Sequence, residues 1–432
     1  MKFPGRRKNK HYFPVSERGR EALETDFHHK GNVYITGIIQ PIVDIEITTT
    51  NEFLNQMNFK KCESFLVDDT IAEKIYNDAK NENRIRGEYP GETVANTLHN
   101  FSMLSDTPCV ALGSIHKNIT VGDYVYKYIS KTSSRVDLTY LQPCERLMGR
   151  ALALVTEDGE RTFAVSKGCM NDLSAEFVPE KIVQESATLV LSAYLLRDEQ
   201  SPIFEATLKA CKIAKASNVP IVLSMGTSSL VEAKREFFMN FITEYVNVVA
   251  MNSDEAFALT KIDDPLLAAS SILEITDLCL ITVGAKGLYL AGYVDEDFAR
   301  LTKEALHTKS IVEYNRYEYS RGMKKADCKK PIKIYSHINP FLGGPQAITN
   351  TNGAGDAALS ALLHDMSANV YHKQVVPNSP KHQANYLTYS SLSQISKYAN
   401  RVSYEVLMQN SPRLTKGLPQ KEDALEESYW ER

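Results

Sequence analysis

The sequence lacks several features that would assign it to a specialised class of protein. It contains no run of about 18 apolar residues, so no transmembrane helix is expected. Its seven cysteines are scattered and form no Cys-x-x-Cys pair, a pattern that predicts neither a disulfide framework nor a zinc site. The formal net charge of −4 over 432 residues gives no argument for a nucleic-acid or membrane partner. These absences favour a cytoplasmic protein with reduced thiols.

Common nucleotide-binding and metal-binding motifs are missing as well. There is no Gly-x-x-x-x-Gly-Lys-Ser/Thr loop, which excludes a P-loop enzyme. No Gly-x-Gly-x-x-Gly follows the first predicted strand, which weakens a dinucleotide-binding Rossmann interpretation. The histidines show no metal-ligand spacing. The basic stretch 1–10 is not followed by an apolar run, so it is interpreted as part of a solvated arm and not as a secretory signal.

The sequence does contain a regular alternation of short apolar runs and helical segments. Strands are predicted at 32–40, 109–112, 188–191, 220–223, 247–250 and 278–283, with helices at 204–216, 231–241 and 253–260. Apolar strands that alternate with helices of this length predict the α/β class, with a mostly parallel central sheet and helices on both faces.

Other segments are expected to lie outside this alternation. Alternating runs between 45 and 67, and a hairpin with Asp-Gly in its turn at 150–166, predict a small half-exposed sheet. Residues 296–345 are rich in Lys, Arg, Tyr and Glu and are interpreted as an insertion with little core of its own, and 386–407 is predicted as one long helix. The expected division of the chain is an N-terminal arm at 1–31, a main domain at 32–410 and a C-terminal tail at 411–432.

The stretch from Asn350 to Asp356 carries the strongest chemical signal. The spacing of Leu359, Leu362, Leu363 and Met366 after it predicts a buried helix, with Asn352 as a good N-cap. The Gly-Ala-Gly of this stretch leaves first-turn amides uncovered, and free amides at the positive end of a helix dipole form an anion site. Asp356 adds a carboxylate beside that site, which fits a hydroxyl that loses its proton while attacking a phosphoryl group. The alternative is a tight entry turn with an acid that complements the dipole.

Further polar residues and glycines stand at predicted strand ends and helix starts, where an open parallel sheet binds its ligands. They are Asp44, Gly91, Asn96, Asn252, Glu255, Thr282, Gly284 and Gly287. Each group has a structural alternative: a hairpin turn at 284–287, a helix cap at 252–255 and a turn cap at Asp44. In a ligand site, 252–255 would instead hold the water shell of Mg²⁺, and Asp44 would accept hydrogen bonds from two vicinal hydroxyls.

The residues 350–356 resemble the Asp-Thr-x-Gly-Ala-Gly-Asp signature of the ribokinase-like (pfkB) family of carbohydrate and nucleoside kinases. The other elements of that family occur in the same order along the chain: a glycine-bearing helix start at 91–96, Asn-x-x-Glu at 252–255 and Thr-x-Gly-x-x-Gly at 282–287. The resemblance implies a large α/β domain with a small β-sheet lid over the sugar. The segments 45–67 and 150–166 are the candidates for that lid.

The resemblance also implies a role for each candidate residue. Asp356 is the expected general base, and the amides of Gly353, Ala354 and Gly355 the expected anion hole. Asp44 is expected to hold ribose hydroxyls, with Gly91 and Asn96 beside it. The expected contacts of ATP are Thr282, Gly284, Gly287 and Asn352, and those of Mg²⁺ are Asn252 and Glu255. Arg197 is added as a candidate phosphate contact, with a surface charge as the alternative.

The implied activity is ATP-dependent phosphorylation of the 5′-hydroxyl of a purine nucleoside, inosine or guanosine. The alternatives are an adenosine or sugar kinase of the same family, and a non-catalytic nucleoside sensor. The residues leave open whether a second copy of the chain is a partner. Two positions depart from the family pattern: Asn350 replaces its first Asp, and Glu92 replaces a glycine near the sugar, which puts nucleotide preference and acceptor fit in question.

Overall fold

The computed structural model describes residues 33–105, 107–302, 316–340, 348–349, 351–415 and 417–418. Asn350, the arm at 1–31 and most of the C-terminal tail lie outside the described residues. The strands in these ranges are β1 (Ile35–Ile38), β2 (Ile42–Thr48), β3 (Ser64–Leu66), β4 (Ile85–Pro90), β5 (Cys109–His116), β6 (Val136–Asp137), β7 (Leu141–Cys144), β8 (Gly149–Val155), β9 (Arg161–Ser166), β10 (Leu189–Ser192), β11 (Ile221–Ser224), β12 (Val248–Asn252), β13 (Leu278–Thr282), β14 (Leu288–Asp295), β15 (Arg321–Met323), β16 (Pro331–Ile338) and β17 (Tyr386–Ser391).

The helices in the same ranges are mostly short connections between strands. They are α1 (Asn51–Gln56), α2 (Asp69–Asn81), α3 (Thr93–Leu104), α4 (Tyr124–Ser130), α5 (Glu180–Gln184), α6 (Pro202–Ala216), α7 (Ser228–Ala233), α8 (Arg235–Tyr245), α9 (Ser253–Thr260), α10 (Pro265–Ile272), α11 (Ala354–Val375) and α12 (Leu392–Leu407). None of the helices in the described ranges is long and apolar enough to span a membrane.

The large sheet confirms the predicted α/β class. Its order is β17-β15-β14-β13-β12-β11-β10-β1-β5-β6, with β16 paired to β14 and β7 paired to β5. The pairs from β5 through β1 and β10 to β13 are parallel. These strands are mostly apolar, because a parallel sheet is covered by helices on both faces and nearly every side chain is buried whichever way it points.

Helix α11 lies in the centre of one of these covering layers. Residues 357–369 are all buried, so the helix is enclosed on every side, which confirms the prediction of a buried helix. Its buried polar groups are satisfied: His364 is 2.8 Å from the Tyr398 hydroxyl, and Asp365 accepts amide hydrogen bonds from Tyr389 and Ser390. The helix packs against α3, α12 and β17, which fixes its N-terminus relative to the sheet.

A second, smaller sheet has the order β3-β9-β8-β2-β4. It contains the two predicted segments, and β8 and β9 form the expected antiparallel hairpin. Along β2, alternate residues are buried and half-buried, so one face packs on the protein and the other is open. Asp44 lies on the open face, directly opposite Tyr89 of β4.

Three expectations about segments are wrong. Residues 386–407 are a strand, β17, followed by α12, because β17 pairs with β15 at the edge of the large sheet. Within 296–345, which was expected to carry little core, β16 pairs along the length of β14 and buries Ile334. The helix predicted at 231–241 is two helices, α7 and α8.

Candidate active site

A cavity of about 1050 Å³ opens at the C-terminal ends of the parallel strands. This is the location expected for a ligand site in an open α/β sheet. Its walls come from the ends of β11 to β13, the hairpin after β13, the start of α11 and one side of α12. The lining residues from the predicted site are Asn252, Glu255, Thr282, Gly284, Gly287, Ala354, Gly355 and Asp356.

The N-terminus of α11 forms one wall of the cavity. Gly353 is its N-cap, with φ of +81°, and a Cβ at this position would lie 2.5 Å from Pro412. Glycine is therefore required there on two grounds. The N-cap was predicted at Asn352, which is wrong: Asn352 precedes the cap and is not among the cavity-lining residues.

The amides of the first turn of α11 are placed to bind an anion. The first amides of any helix have no acceptor within the helix. In α11 these belong to Ala354, Gly355 and Asp356, which all line the cavity. Outside the helix's own backbone, no heavy atom of the described residues lies within 4 Å of a Cβ built on Gly355, so the backbone there is accessible to a ligand. Uncovered backbone amides therefore lie at the N-terminus of a long helix, the positive end of its dipole.

Asp356 is held between the cavity and α3. Its Oδ2 accepts a hydrogen bond of 3.3 Å from Nδ2 of Asn96. Burial raises the pKa of Asp356 to about 7, while the hydrogen bond from Asn96 and the charge of Arg413 act to lower it. A carboxylate with a pKa near neutrality is suited to accept a proton during a reaction.

Arg413 is a site residue that sequence analysis missed. It was placed in the C-terminal tail, yet it is only 3% exposed, and its Nε donates to Oδ1 of Asn96 at 2.9 Å. Its Nη1 donates to the Thr132 hydroxyl at 3.0 Å. The residues on either side of Arg413 are tied to Asn100 of α3, which donates to the Pro412 carbonyl and accepts from the Leu414 amide. No motif marks this segment, so only its contacts reveal it.

Asp44 and Gly91 lie together on the open face of the small sheet. A Cβ on Gly91 would be 2.8 Å from Oδ2 of Asp44, so a larger residue at 91 would displace the carboxylate. The Gly91 amide donates to the Ile42 carbonyl at 2.9 Å, which holds the two strands in register. Burial raises the pKa of Asp44 to about 6, and Arg413 acts in the opposite direction. A carboxylate in this position can accept two hydroxyl hydrogen bonds.

Glu92 takes a role that its departure from the family pattern did not suggest. It is the N-cap of α3, and its carboxylate accepts hydrogen bonds from the amides of Val94 and Ala95 at 2.9 and 2.7 Å. Its φ is +84°, a conformation that favours glycine. Burial raises the pKa of Glu92 to about 8, against the lowering effect of the Val94 and Ala95 amides. The side chain thus compensates a strained backbone by capping the helix.

This balance between cap and strain predicts an unusual order of stability. Glu92→Ala loses the cap and keeps a Cβ at positive φ, whereas Glu92→Gly loses the cap and relieves the backbone. We expect Glu92→Gly to be more stable than Glu92→Ala by about 1 kcal/mol. Urea-unfolding midpoints of the two variants measure the difference, and an alanine variant of equal or greater stability would contradict the assigned strain.

Asn252 and Thr282 stand side by side at the ends of β12 and β13, where they pair in register. Asn252 and Glu255 form the predicted capping box of α9: the Asn252 side chain accepts from the Glu255 amide, and the Glu255 carboxylate accepts from the Asn252 amide, both at 2.9 Å. Burial raises the pKa of Glu255 to about 7, and the charge of Asp356 adds to this. Among the described residues, no three His, Cys, Asp or Glu side chains form a metal-binding group.

The predicted hairpin turn at 284–287 joins the antiparallel strands β13 and β14 and also lines the cavity. Gly287 has φ of +94°, and a Cβ there would be 2.0 Å from the Ile338 carbonyl oxygen. The structural and the ligand-binding interpretations of this turn are therefore compatible, since the turn brings bare backbone to the cavity wall.

Arg197 does not join the other predicted residues. It is exposed, its guanidinium lies 4.9 Å from the centre of the Tyr194 ring, and it is not among the residues that line the cavity. Nothing in its surroundings distinguishes it from a surface charge. Gly91 and Asn96 are also outside the cavity wall itself, but Asn96 is joined to it through Asp356.

Comparison with known proteins identifies the family of the chain. The profile of the pfkB family carbohydrate kinase matches residues 121–306. Guanosine-inosine kinases of Escherichia coli strains K12 and O157:H7 are each 48% identical to the chain over 436 residues, covering 100% of both sequences.

Solved structures resemble the chain in fold at lower identity. A probable sugar kinase from Rhizobium etli CFN 42 has a TM-score of 0.63 and 19% identity, over 93% of this chain and 98% of that one. The adenosine kinase from Sinorhizobium meliloti has a TM-score of 0.61 and 18% identity, over 93% and 99%. The full-length identity to kinases, together with the profile match and the fold, leads to one conclusion: the chain belongs to the pfkB carbohydrate kinase family.

Proposed function

We propose that this protein is a purine nucleoside kinase, which transfers phosphate from ATP to the 5′-hydroxyl of inosine or guanosine. The observation that carries the proposal is Asp356, a carboxylate at the cavity wall next to the free first-turn amides of α11. The full-length relatives at 48% identity are guanosine-inosine kinases, which supports the purine nucleoside as acceptor. The presence of Asp356 speaks against a sensor without activity.

The two ends of the site suit the two substrates. The cavity, with its hairpin backbone at Gly284 and Gly287, takes ATP, and the open face of the small sheet, with Asp44, takes the ribose. Phosphoryl transfer depends mainly on positioning and on stabilising the charge of the transferring group. The first-turn amides of α11 bind that charge, and Asp356 accepts the proton of the attacking hydroxyl.

Mg²⁺ is the cofactor that ATP-dependent transfer requires, and the residues present fit it through water. Both Glu255 oxygens already accept hydrogen bonds from Asn252. A carboxylate oxygen has a second lone pair, which leaves Glu255 able to accept from metal-bound water. Mg²⁺ usually keeps several waters and is held largely by substrate phosphates, so few protein ligands are needed. When bound, the ion neutralises phosphate charge, and Asn252 and Glu255 orient its water shell.

We infer in addition that the segments 45–67 and 150–166 act as a lid over the nucleoside. They form the small sheet that carries Asp44. A lid that excludes water would favour transfer to the nucleoside over hydrolysis of ATP. We also place the protein in the cytoplasm, where both substrates occur.

The acceptor is tested by a product assay with ATP and four acceptors: inosine, guanosine, adenosine and ribose. We expect the 5′-monophosphates of inosine and guanosine to form with the highest kcat/KM. Adenosine as the best acceptor would indicate an adenosine kinase, and ribose alone a sugar kinase. Absence of any product would contradict the kinase proposal.

A further inference from the structure

The segment 412–414 joins two parts of the site that are far apart in sequence. Pro412 packs against Gly353 at the start of α11, and Leu414 is held by α3 through hydrogen bonds to Asn100 and His99. Arg413, between them, points its guanidinium at Asn96 and Thr132 and lies 5.4 Å from the centre of the Tyr128 ring. The arrangement of the site therefore depends on a segment that follows α12.

Structural need alone does not account for the arginine. Its Nη2 has no well-aligned hydrogen-bond partner among the described residues, and the Tyr128 side chain is the neighbour it interacts with. A buried donor without a well-aligned acceptor lowers stability. An apolar side chain of similar volume would avoid that loss. The arginine is explained instead by two effects on its neighbours: its charge interacts with acidic groups, and its N–H donors orient a side chain.

Those neighbours are the acidic groups of the site. Arg413 acts electrostatically on Asp44 of the small sheet, Glu92 at the start of α3 and Asp356 of α11. Asp356 also interacts electrostatically with Glu92, with Glu255 of α9 and with Tyr194. Among the described residues, Arg413 is a cation that interacts with several of these acidic groups, and its removal would increase the repulsion between them.

The geometry also fixes the orientation of Asn96. An amide side chain can present either its oxygen or its nitrogen to a neighbour. Because Nε of Arg413 can only donate, it binds Oδ1 of Asn96 and directs Nδ2 towards Oδ2 of Asp356. The hydrogen bond to Asp356 favours the ionised carboxylate, as the general base requires.

We propose that Arg413 is a positioning residue for phosphoryl transfer, which orients Asn96 and holds Asp356 in its ionised form. This inference rests on the proposed function, because the role of Asp356 as base defines what is being positioned. It gives the segment after α12 a part in the reaction, whereas the sequence suggested only a tail.

The test is the pH dependence of turnover with the best nucleoside acceptor. In the wild type, kcat should rise with pH as Asp356 ionises. Arg413→Met removes the cation and its donors, so the carboxylate should ionise at higher pH: we expect the acidic limb to move upward by about one pH unit or more. We also expect kcat at neutral pH to fall on the order of 100-fold, with a smaller change in the KM for ATP.

Arg321→Met is the matched control, since Arg321 is also buried and has three hydrogen bonds. This variant should leave the acidic limb of the pH profile at its wild-type position.

Two further variants separate the effect of the positive charge of Arg413 from the effect of its hydrogen-bond geometry. They test the positioning role even if Arg413→Met does not fold. Arg413→Lys keeps the charge and loses the planar fork, so kcat should fall while the limb stays close to that of the wild type. Asn96→Ala should lower kcat, and its combination with Arg413→Lys should cost little more than the larger single effect. Full additivity, or wild-type kcat in Arg413→Lys, would overturn the positioning role. An unshifted limb in folded Arg413→Met would overturn it as well, whereas absence of wild-type turnover would overturn the proposed function itself.

Discussion

Replacing Asp356 by asparagine is expected to lower kcat by about 10²- to 10⁴-fold, the usual contribution of a general base. The amide keeps the shape of the side chain but cannot accept the proton of the 5′-hydroxyl. Nucleoside binding should remain nearly intact, because the ribose contacts assigned to Asp44 are unchanged. Steady-state kinetics with separate titrations of nucleoside and ATP measure both quantities.

A matched control for this variant lies on the same helix. Asp365 is also a buried carboxylate of α11, and it accepts hydrogen bonds from the Tyr389 and Ser390 amides away from the cavity. Asp365→Asn should cost stability and leave the kcat of the folded enzyme close to wild type. If Asp356→Asn turned over at the wild-type rate, Asp356 would not be the base.

Removing the carboxylate of Asp44 is expected to raise the KM for the nucleoside by about 10- to 100-fold. The expected change corresponds to about one hydrogen bond between a hydroxyl and a charged acceptor, which contributes about 1.5–3 kcal/mol. The KM for ATP should change little, because ATP is assigned to the cavity on the other side of Asp356. The variant Asp44→Ala with a nucleoside titration at saturating ATP gives the measurement.

Glu46→Ala provides the control on the same strand. Glu46 lies two residues further along β2, on the same face of the sheet, and pairs with Arg161. Its removal should leave both KM values close to wild type. A change confined to the KM for ATP in Asp44→Ala would show that Asp44 does not hold the ribose.

The elements that sequence predicted correctly are those with local signals. Helix α9 begins at the predicted residue because Asn252 and Glu255 form a capping box, a pattern contained within four consecutive positions. The cavity residues of α11 and of the 284–287 hairpin were found because glycines mark positions where backbone must be bare.

The errors concern structure that depends on distant residues. Residues 386–391 form a strand only because β15, more than sixty residues earlier, offers an edge to pair with. The role proposed for Arg413 depends on Asn96 and Thr132, which accept its hydrogen bonds and lie some 300 residues away in sequence. Glu92 was recognised as a departure from the family, but its capping of α3 follows from backbone geometry that the sequence does not display.

The central claim is that the carboxylate of Asp356 and the first-turn amides of α11 act on one phosphate and one hydroxyl. A crystal structure of the Asp356→Asn variant with inosine and a non-hydrolysable ATP analogue tests it most directly. We expect the 5′-oxygen within hydrogen-bond distance of the side chain at 356, and the terminal phosphate against the amides of residues 354–356. A nucleoside bound with its 5′-oxygen remote from residue 356, or a phosphate held away from the start of α11, would contradict the account.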